Sequence, residues 1–310
     1  MGEITVTNWT HLHLFHRDAV KGNVVLDGLT NYNLYGAMFL GFCGSRTDTQ
    51  SGGYNRTGND RVALDPPDLS SLAAVMVEQA TYESEFDLDR LASFLDTHDE
   101  ARIARRCNDA LRVRNALAFL LTYRGIPVVY YGTEQGWDMQ DNREALWSSK
   151  FDQSSAEYVL IAALNRARKA AHLGAATVLR ADGNVLIFER LARGSSVSSG
   201  SSVGAGSSGS QAQSADGLPI MITLVNNLPE SAAESELVYC TQGLTLPPRA
   251  PMGECWMDAL TGVVAVADAA GCFHARDAEP KVLVRRACAD VLAAGAAALE
   301  FSGGRRATLL

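Results

Sequence analysis

Two short stretches hold the residues best suited to chemistry. Phe94 to Asp99, FLDTHD, is an apolar run that closes on a histidine and an aspartate, and Gly125 to Gly136, GIPVVYYGTEQG, is a second apolar run that closes on tyrosine, glycine and glutamate. Asn142 and Arg143 follow within a turn or two. An arginine fork suits a bidentate carboxylate partner. A lone His98-Asp99 pair also reads as a helix cap after a strand, so its chemistry depends on what lies around it.

Strand, helix, strand is the simplest reading of the chain between these runs. In Asn108 to Tyr123, NDALRVRNALAFLLTY, the residues Val113, Leu117, Leu120 and Leu121 fall three or four apart and predict one apolar helical face. Asn108 can cap that helix and Asp109 suits its positive end. Val128 to Tyr131 lack polar alternation, which predicts a parallel strand buried on both faces. In parallel α/β folds ligands are met at the carboxyl ends of strands, so His98, Asp99, Glu134 and Arg143 are expected to share one mouth.

Outside this unit, short strands are predicted around Glu3 and over Asn23 to Asp27, a helix over Thr30 to Phe42, a polar loop from Gly44 to Pro67 and a helix over Asp68 to Glu83. Ser154 to His172 predicts an amphipathic helix. The period then changes to short β runs at Ala176 to Leu179, Val185 to Leu191, Ile220 to Val225, Glu236 to Tyr239 and Lys281 to Arg285, as in a small antiparallel sandwich. A Gly/Ser-rich insertion over 194–217 reads as a flexible hairpin tip. Residues 288–310 read as a loose tail. Four strands precede Ser154, whereas a parallel barrel needs eight.

The 310 residues and 47% apolar content allow two domains with real cores. A net charge of -8 argues against a nucleic-acid partner, and Arg102, Arg105 and Arg106 read as an ordinary solvated cluster. No apolar run is long enough to span a bilayer, and MGEITVTNWTH has neither the basic nor the apolar region of a signal peptide. Six scattered cysteines with no CxxC make a zinc site improbable and permit disulfides without demanding them. Sequons at Asn8 and Asn55 lean towards a secretory route.

From Gly2 to about Arg285 the chain resembles the α-amylase family of retaining glycoside hydrolases, and most closely the fungal-type α-amylases. Gly2-Glu3-Ile4, Val25 to Gly28 with Asn31-Tyr32, Phe94 to Asp99, Gly125 to Gln135 and Asn142 to Trp147 carry the resemblance in order and spacing. It implies an α/β fold: part of a (β/α)8 TIM barrel, about strands 5 to 8, over 1–173, followed over 174–287 by a C-terminal antiparallel β-sandwich domain. Glu3 would end the fifth strand, Asp27 would lie near the sixth, Asp99 would follow the seventh and Glu134 the eighth.

Retaining glycosidases need two carboxyls, one as nucleophile and the other as acid and then base. The resemblance makes Glu3 the acid and base, and Asp99 the carboxylate that holds sugar hydroxyls and favours the oxocarbenium-like transition state. His98 and Arg143 would bind the same sugar. Trp137 and Tyr131 could stack on sugar faces, although a core role is as natural for Tyr131. Arg143 needs a carboxylate partner, but Asp138 stands one residue too far for the usual spacing and Asp141 too near. Thr97 stands where asparagine is usual.

The family's nucleophile and most of its calcium ligands precede the fifth strand, so neither has a matching position here. Calcium is expected for the complete family fold. The expected activity is hydrolysis of internal α-1,4 bonds in an α-glucan such as starch or glycogen, with this chain alone inactive. A glucanotransferase of the same family, a non-catalytic glucan-binding relative and an incomplete gene model are the alternatives. Secretion is what the resemblance implies.

Overall fold

The computed structural model describes residues 23–44, 66–83, 87–139, 143–171, 173–192, 219–232, 237–239, 254–265, 273–275 and 278–287. The strand expected around Glu3, the Gly/Ser-rich insertion, most of the loop over 44–67 and the tail lie outside these residues. Helices α1 (Tyr32–Cys43), α2 (Leu69–Thr81), α3 (Ile103–Cys107), α4 (Ala110–Thr122) and α5 (Ala156–Ala171) occupy the first part. Strands β1 (Ala92–Phe94) and β2 (Ile126–Val128) pair in parallel, Ala92 opposite Ile126 and Phe94 opposite Val128.

A third parallel segment lies on the other side of β1. The Ala92 amide donates to the Leu29 carbonyl and the Asn31 amide to the Ala92 carbonyl, both at 2.8 Å. The strand predicted over Asn23 to Asp27 therefore makes its contact with β1 a few residues later. Leu29 is the buried residue, packed with Leu88 and Leu91, whereas Val24 and Val25 are exposed. Gly28 allows this approach, because a Cβ there would sit 2.5 Å from the Arg90 carbonyl oxygen. Three parallel segments joined by helices result. Burial of β2 on both faces is not borne out: Ile126 is 43% and Val128 42% exposed, and among the described residues β2 pairs with β1 alone.

Helix α4 starts at Asp109 and not at Asn108. The Asp109 carboxylate accepts from the Arg112 amide at 3.0 Å, the position of an N-cap, while Asn108 adopts a left-handed φ of 48° that closes α3. The four predicted apolar residues of α4 are all buried, and so are Leu111, Ala116, Ala118 and Phe119. A helix buried nearly all round must be covered on two sides. Phe42 of α1 covers one side of Phe119 and Phe188 the other, with ring centroids 6.2 and 5.5 Å away.

Phe188 belongs to a six-stranded antiparallel sheet, order β3-β4-β5-β10-β7-β8. Its strands are β3 (Leu173–Ala181), β4 (Val185–Ala192), β5 (Met221–Asn226), β7 (Glu254–Asp258), β8 (Val264–Ala265) and β10 (Lys281–Ala287); β6 (Leu237–Tyr239) and β9 (Phe273–Ala275) pair separately. Side chains alternate across the sheet. Leu186, Phe188, Met221, Val225, Val282 and Val284 join the core shared with the helices, whereas Val185, Ile187, Ile222, Leu224, Trp256 and Leu283 form a second cluster. Strands β7, β8 and β9 are additions to the predicted set.

Polar groups fasten the helices to the sheet. Asn115 of α4, fully buried, donates to the Ala278 carbonyl at 3.2 Å and accepts from the Asn226 amide at 2.9 Å. Arg190 of β4, 1% exposed, donates to the carbonyls of Thr122 at 2.6 Å and Gly174 at 2.6 and 2.9 Å. A disulfide joins Cys43 to Cys107, at the ends of α1 and α3. Spacing alone had left that pairing open.

Candidate active site

The loops after β1 and β2 leave the same end of the parallel pair. On the first, Asp99 takes two nitrogen neighbours: Arg143 Nη2 donates to Asp99 Oδ1 at 3.0 Å, and His98 Nε2 lies 3.1 Å from Asp99 Oδ2. Asp99, Arg143 and His98 are 58, 62 and 52% exposed in their side chains, so the cluster faces solvent and can meet a ligand. Asp99, 44 residues upstream, is a carboxylate partner of Arg143, while Asp141, a nearer carboxylate in sequence, lies outside the described residues. Asp138, the other nearby candidate, is exposed, and among the described residues it pairs with no arginine. Glu3 lies outside the described residues.

Glu134 is held within its own turn. Its carboxylate accepts from the Gly132 amide at 2.8 Å, and its carbonyl accepts from the Ser155 hydroxyl, which ties the turn after β2 to α5. Trp137 is 7% exposed, so its indole is a buried support and not an open sugar platform. It lies against Gly132, whose φ of 89° and missing side chain make room; a Cβ there would come within 2.4 Å of Trp137 Cε3. Tyr131 packs edge-on to the indole at 6.2 Å.

Beneath this surface lies a polar layer with no counterpart in the sequence expectations. Asp96, 2% exposed, accepts from the Thr133 hydroxyl at 2.9 and 3.0 Å and from the Ile103 amide at 3.1 Å. Burial pushes its carboxyl up, opposed by those two hydrogen bonds and the Arg102 charge. Arg102 is fully buried, which overturns the solvated reading of that residue. Its guanidinium stands 4.5, 5.1 and 5.6 Å from the rings of Tyr130, Tyr131 and Trp137, and it donates to the Tyr131 carbonyl. Arg106 is also drawn inward, pairing with Glu100 and donating to the Tyr35 hydroxyl at 2.5 Å. Three arginines within five residues look like a surface patch in sequence. The signal that separates them is the carboxylate that opens the strand-end loop at Asp96 and the aromatic run at 130–137.

Among the described residues, no three or more His, Cys, Asp or Glu side chains gather into a group that could hold a metal ion. No helix among them is long and apolar enough to cross a membrane.

The alpha-amylase catalytic-domain family matches residues 52–171, a span that contains Asp96, His98, Asp99, Arg102, Trp137 and Arg143. Over that span the chain is similar to the alpha-amylase family. It is 35% identical over 150 residues to alpha-amylase 2 of Schizosaccharomyces pombe, an alignment that covers 47% of this chain and 22% of that protein. It is 41% identical over 107 residues to the alpha-amylase of Saccharomycopsis fibuligera, covering 34% of this chain and 22% of that one. The chain therefore spans about a fifth to a quarter of the length of the curated alpha-amylases it matches. Among solved structures, the alpha-amylase of Malbranchea cinnamomea superposes with a TM-score of 0.57 at 22% identity, over 86% of this chain and 47% of that one. The alpha-amylase of Geobacillus thermoleovorans, complexed with acarbose, gives 0.56 at 18%, over 93% of this chain and 53% of that one. These likenesses show a fold shared with alpha-amylases over about half of each of those chains.

Proposed function

We propose that this chain carries one side of an α-glucan site of the α-amylase type, acting on internal α-1,4 bonds of starch or glycogen with retention at the anomeric carbon. The observation that carries the reading is the exposed Asp99 carboxylate held between Arg143 and His98 at the end of β1. In this reading the segment at 29–30, β1 and β2 are the sixth, seventh and eighth barrel strands, and the sheet β3 to β10 is the C-terminal domain.

Arg143 fixes the plane of Asp99. A fixed, half-exposed carboxylate can accept two sugar hydroxyls, and it favours the positive oxocarbenium-like charge that develops in the transition state over the neutral ground state. His98 adds a donor or acceptor to the same ring. Glu3 is assigned the acid and base, and no residue of this sequence is assigned the nucleophile, so the chain alone is expected to bind glucan without turning it over. The acarbose complex of a structural relative supports an α-glucan ligand. The disulfide and the extracellular character expected of the family support secretion.

Two measurements on residues 1–310 test the reading: maltotriose affinity by calorimetry, and reducing-end release from soluble starch. Binding lost in Asp99→Ala with no measurable turnover is the expected result. Absence of binding refutes the glucan site, whereas turnover abolished by Glu3→Ala or Asp99→Ala refutes the assignment of an incomplete site.

A further inference from the structure

The cluster around Asp99 is open to solvent, yet its two halves come from loops that, among the described residues, no backbone ladder joins beyond Phe94 and Val128. What joins them is the layer beneath. Asp96 sits on the first loop and Thr133 on the second, and their hydrogen bond crosses between loops 37 residues apart. Arg102 repeats the crossing, from the first loop to the Tyr131 carbonyl and to the Tyr130, Tyr131 and Trp137 rings of the second. The Ile103 amide returns to Asp96, so the first loop is closed on the same carboxylate that grips the second.

We infer that Asp96, Thr133 and Arg102 are positioning residues that set the spacing between the Asp99 side and the Arg143 side of the sugar site. None of the three is exposed beyond 4%. They act through the loops they hold. The inference rests on the glucan reading for its consequence, but the coupling of the two loops is a property of the free chain. A hydrogen bond donated to a carboxylate is among the stronger ones, and a buried carboxylate that loses its donor is left partly unsatisfied. Removing the Thr133 hydroxyl therefore frees both loops together, not the turn that contains it alone.

Thr133→Val keeps the volume and removes the donor; Thr133→Ser keeps the donor. The test uses residues 1–310 and compares amide hydrogen exchange at Asp99, Glu100, Ile103, Gly136 and Trp137, with no sugar present, and then maltotriose affinity. The expected result for Thr133→Val is faster exchange in both loops and an affinity lowered about tenfold, with Thr133→Ser restoring both. Arg102→Lys, which keeps the charge and loses the planar fork, is expected to act in the same direction. Faster exchange at Gly136 and Trp137 alone overturns the inference. So does loosening of both loops with unchanged affinity. A wild-type chain that binds no maltotriose sinks the glucan reading instead, and the coupling is then decided by exchange alone.

Discussion

Replacing Asn115 by alanine tests how the helices and the antiparallel sheet are joined. Asn115 is fully buried, and its amide oxygen is the acceptor for the Asn226 backbone N–H at 2.9 Å and for Asn226 Nδ2 at 3.3 Å. Ala278 O keeps a second donor, Asn226 Nδ2 at 2.7 Å, so the group orphaned by the change is the Asn226 amide. Leaving one buried backbone donor unsatisfied costs about 1–3 kcal/mol, and the lost packing of the truncated amide adds about 1 kcal/mol. The expected loss is about 2–4 kcal/mol. The assay is urea unfolding followed by both far-ultraviolet circular dichroism and tryptophan fluorescence. Coincident transitions that shift to lower urea by about 1 M at an unchanged slope are expected. A loss below about 1 kcal/mol, or wild-type transitions that separate between the two probes, would refute the claim that α4 and the sheet form one cooperative unit.

Four further outcomes follow from the same contacts. Arg143→Ala should alter stability by less than about 1 kcal/mol, because its pair with Asp99 is more than half exposed, while maltotriose affinity falls; calorimetry and thermal melts separate the two. Gly132→Ala should disturb Trp137 fluorescence and lower stability by about 1–3 kcal/mol, since it strains a backbone at φ 89° and drives a methyl into the indole. Reducing or removing the Cys43–Cys107 bridge, which spans 64 residues of chain, should cost up to about 4 kcal/mol on the chain-entropy estimate, measured by melts of the Ser/Ser double variant. Partial burial of Asp182 raises its carboxyl, but the Asn184 and Val185 amides and Arg180 outweigh it and hold the pKa below the ordinary 3.8. Its contribution is thus complete above about pH 3.8 and is lost as pH falls through the lower folded value, so the stability gap to Asp182→Asn should close in acid.

Periodicity carried the helices well, because α1, α2, α4 and α5 have runs long enough for an apolar pattern to repeat. Their ends depended on single side chains. Asn108 and Asp109 are both good caps by type, and only the left-handed backbone needed to leave α3 assigns the second to α4. Strands of two to five residues carry no such pattern, which is why β7, β8 and β9 escaped notice and why the contact of the 23–27 segment moved to Leu29 and Thr30. The contact between His98 and Asp99 was legible because the two are adjacent in sequence. The contact of Arg143 with Asp99 has no local signal, because the two stand on different loops 44 residues apart, and Asp141 lies outside the described residues. Arg102 was misread for a related reason: charge type predicts exposure only where no carboxylate, carbonyl or ring waits in the fold to receive the guanidinium.

The carboxyl end of α4 is finished by arginines that come much later in the chain. Arg168 donates to the carbonyls of Leu121, Tyr123 and Gly125, and Arg190 to that of Thr122, across 47 and 68 residues for the first and last of these bonds. During synthesis the helix must therefore emerge with its last turn still hydrated, and it can lock only when β4 has left the ribosome. Chains stalled before residue 168 should be nicked by protease just after Thr122, and chains stalled well beyond residue 190 should not. The order of translation, and not only the final contacts, is thus written into where these two guanidinium groups sit.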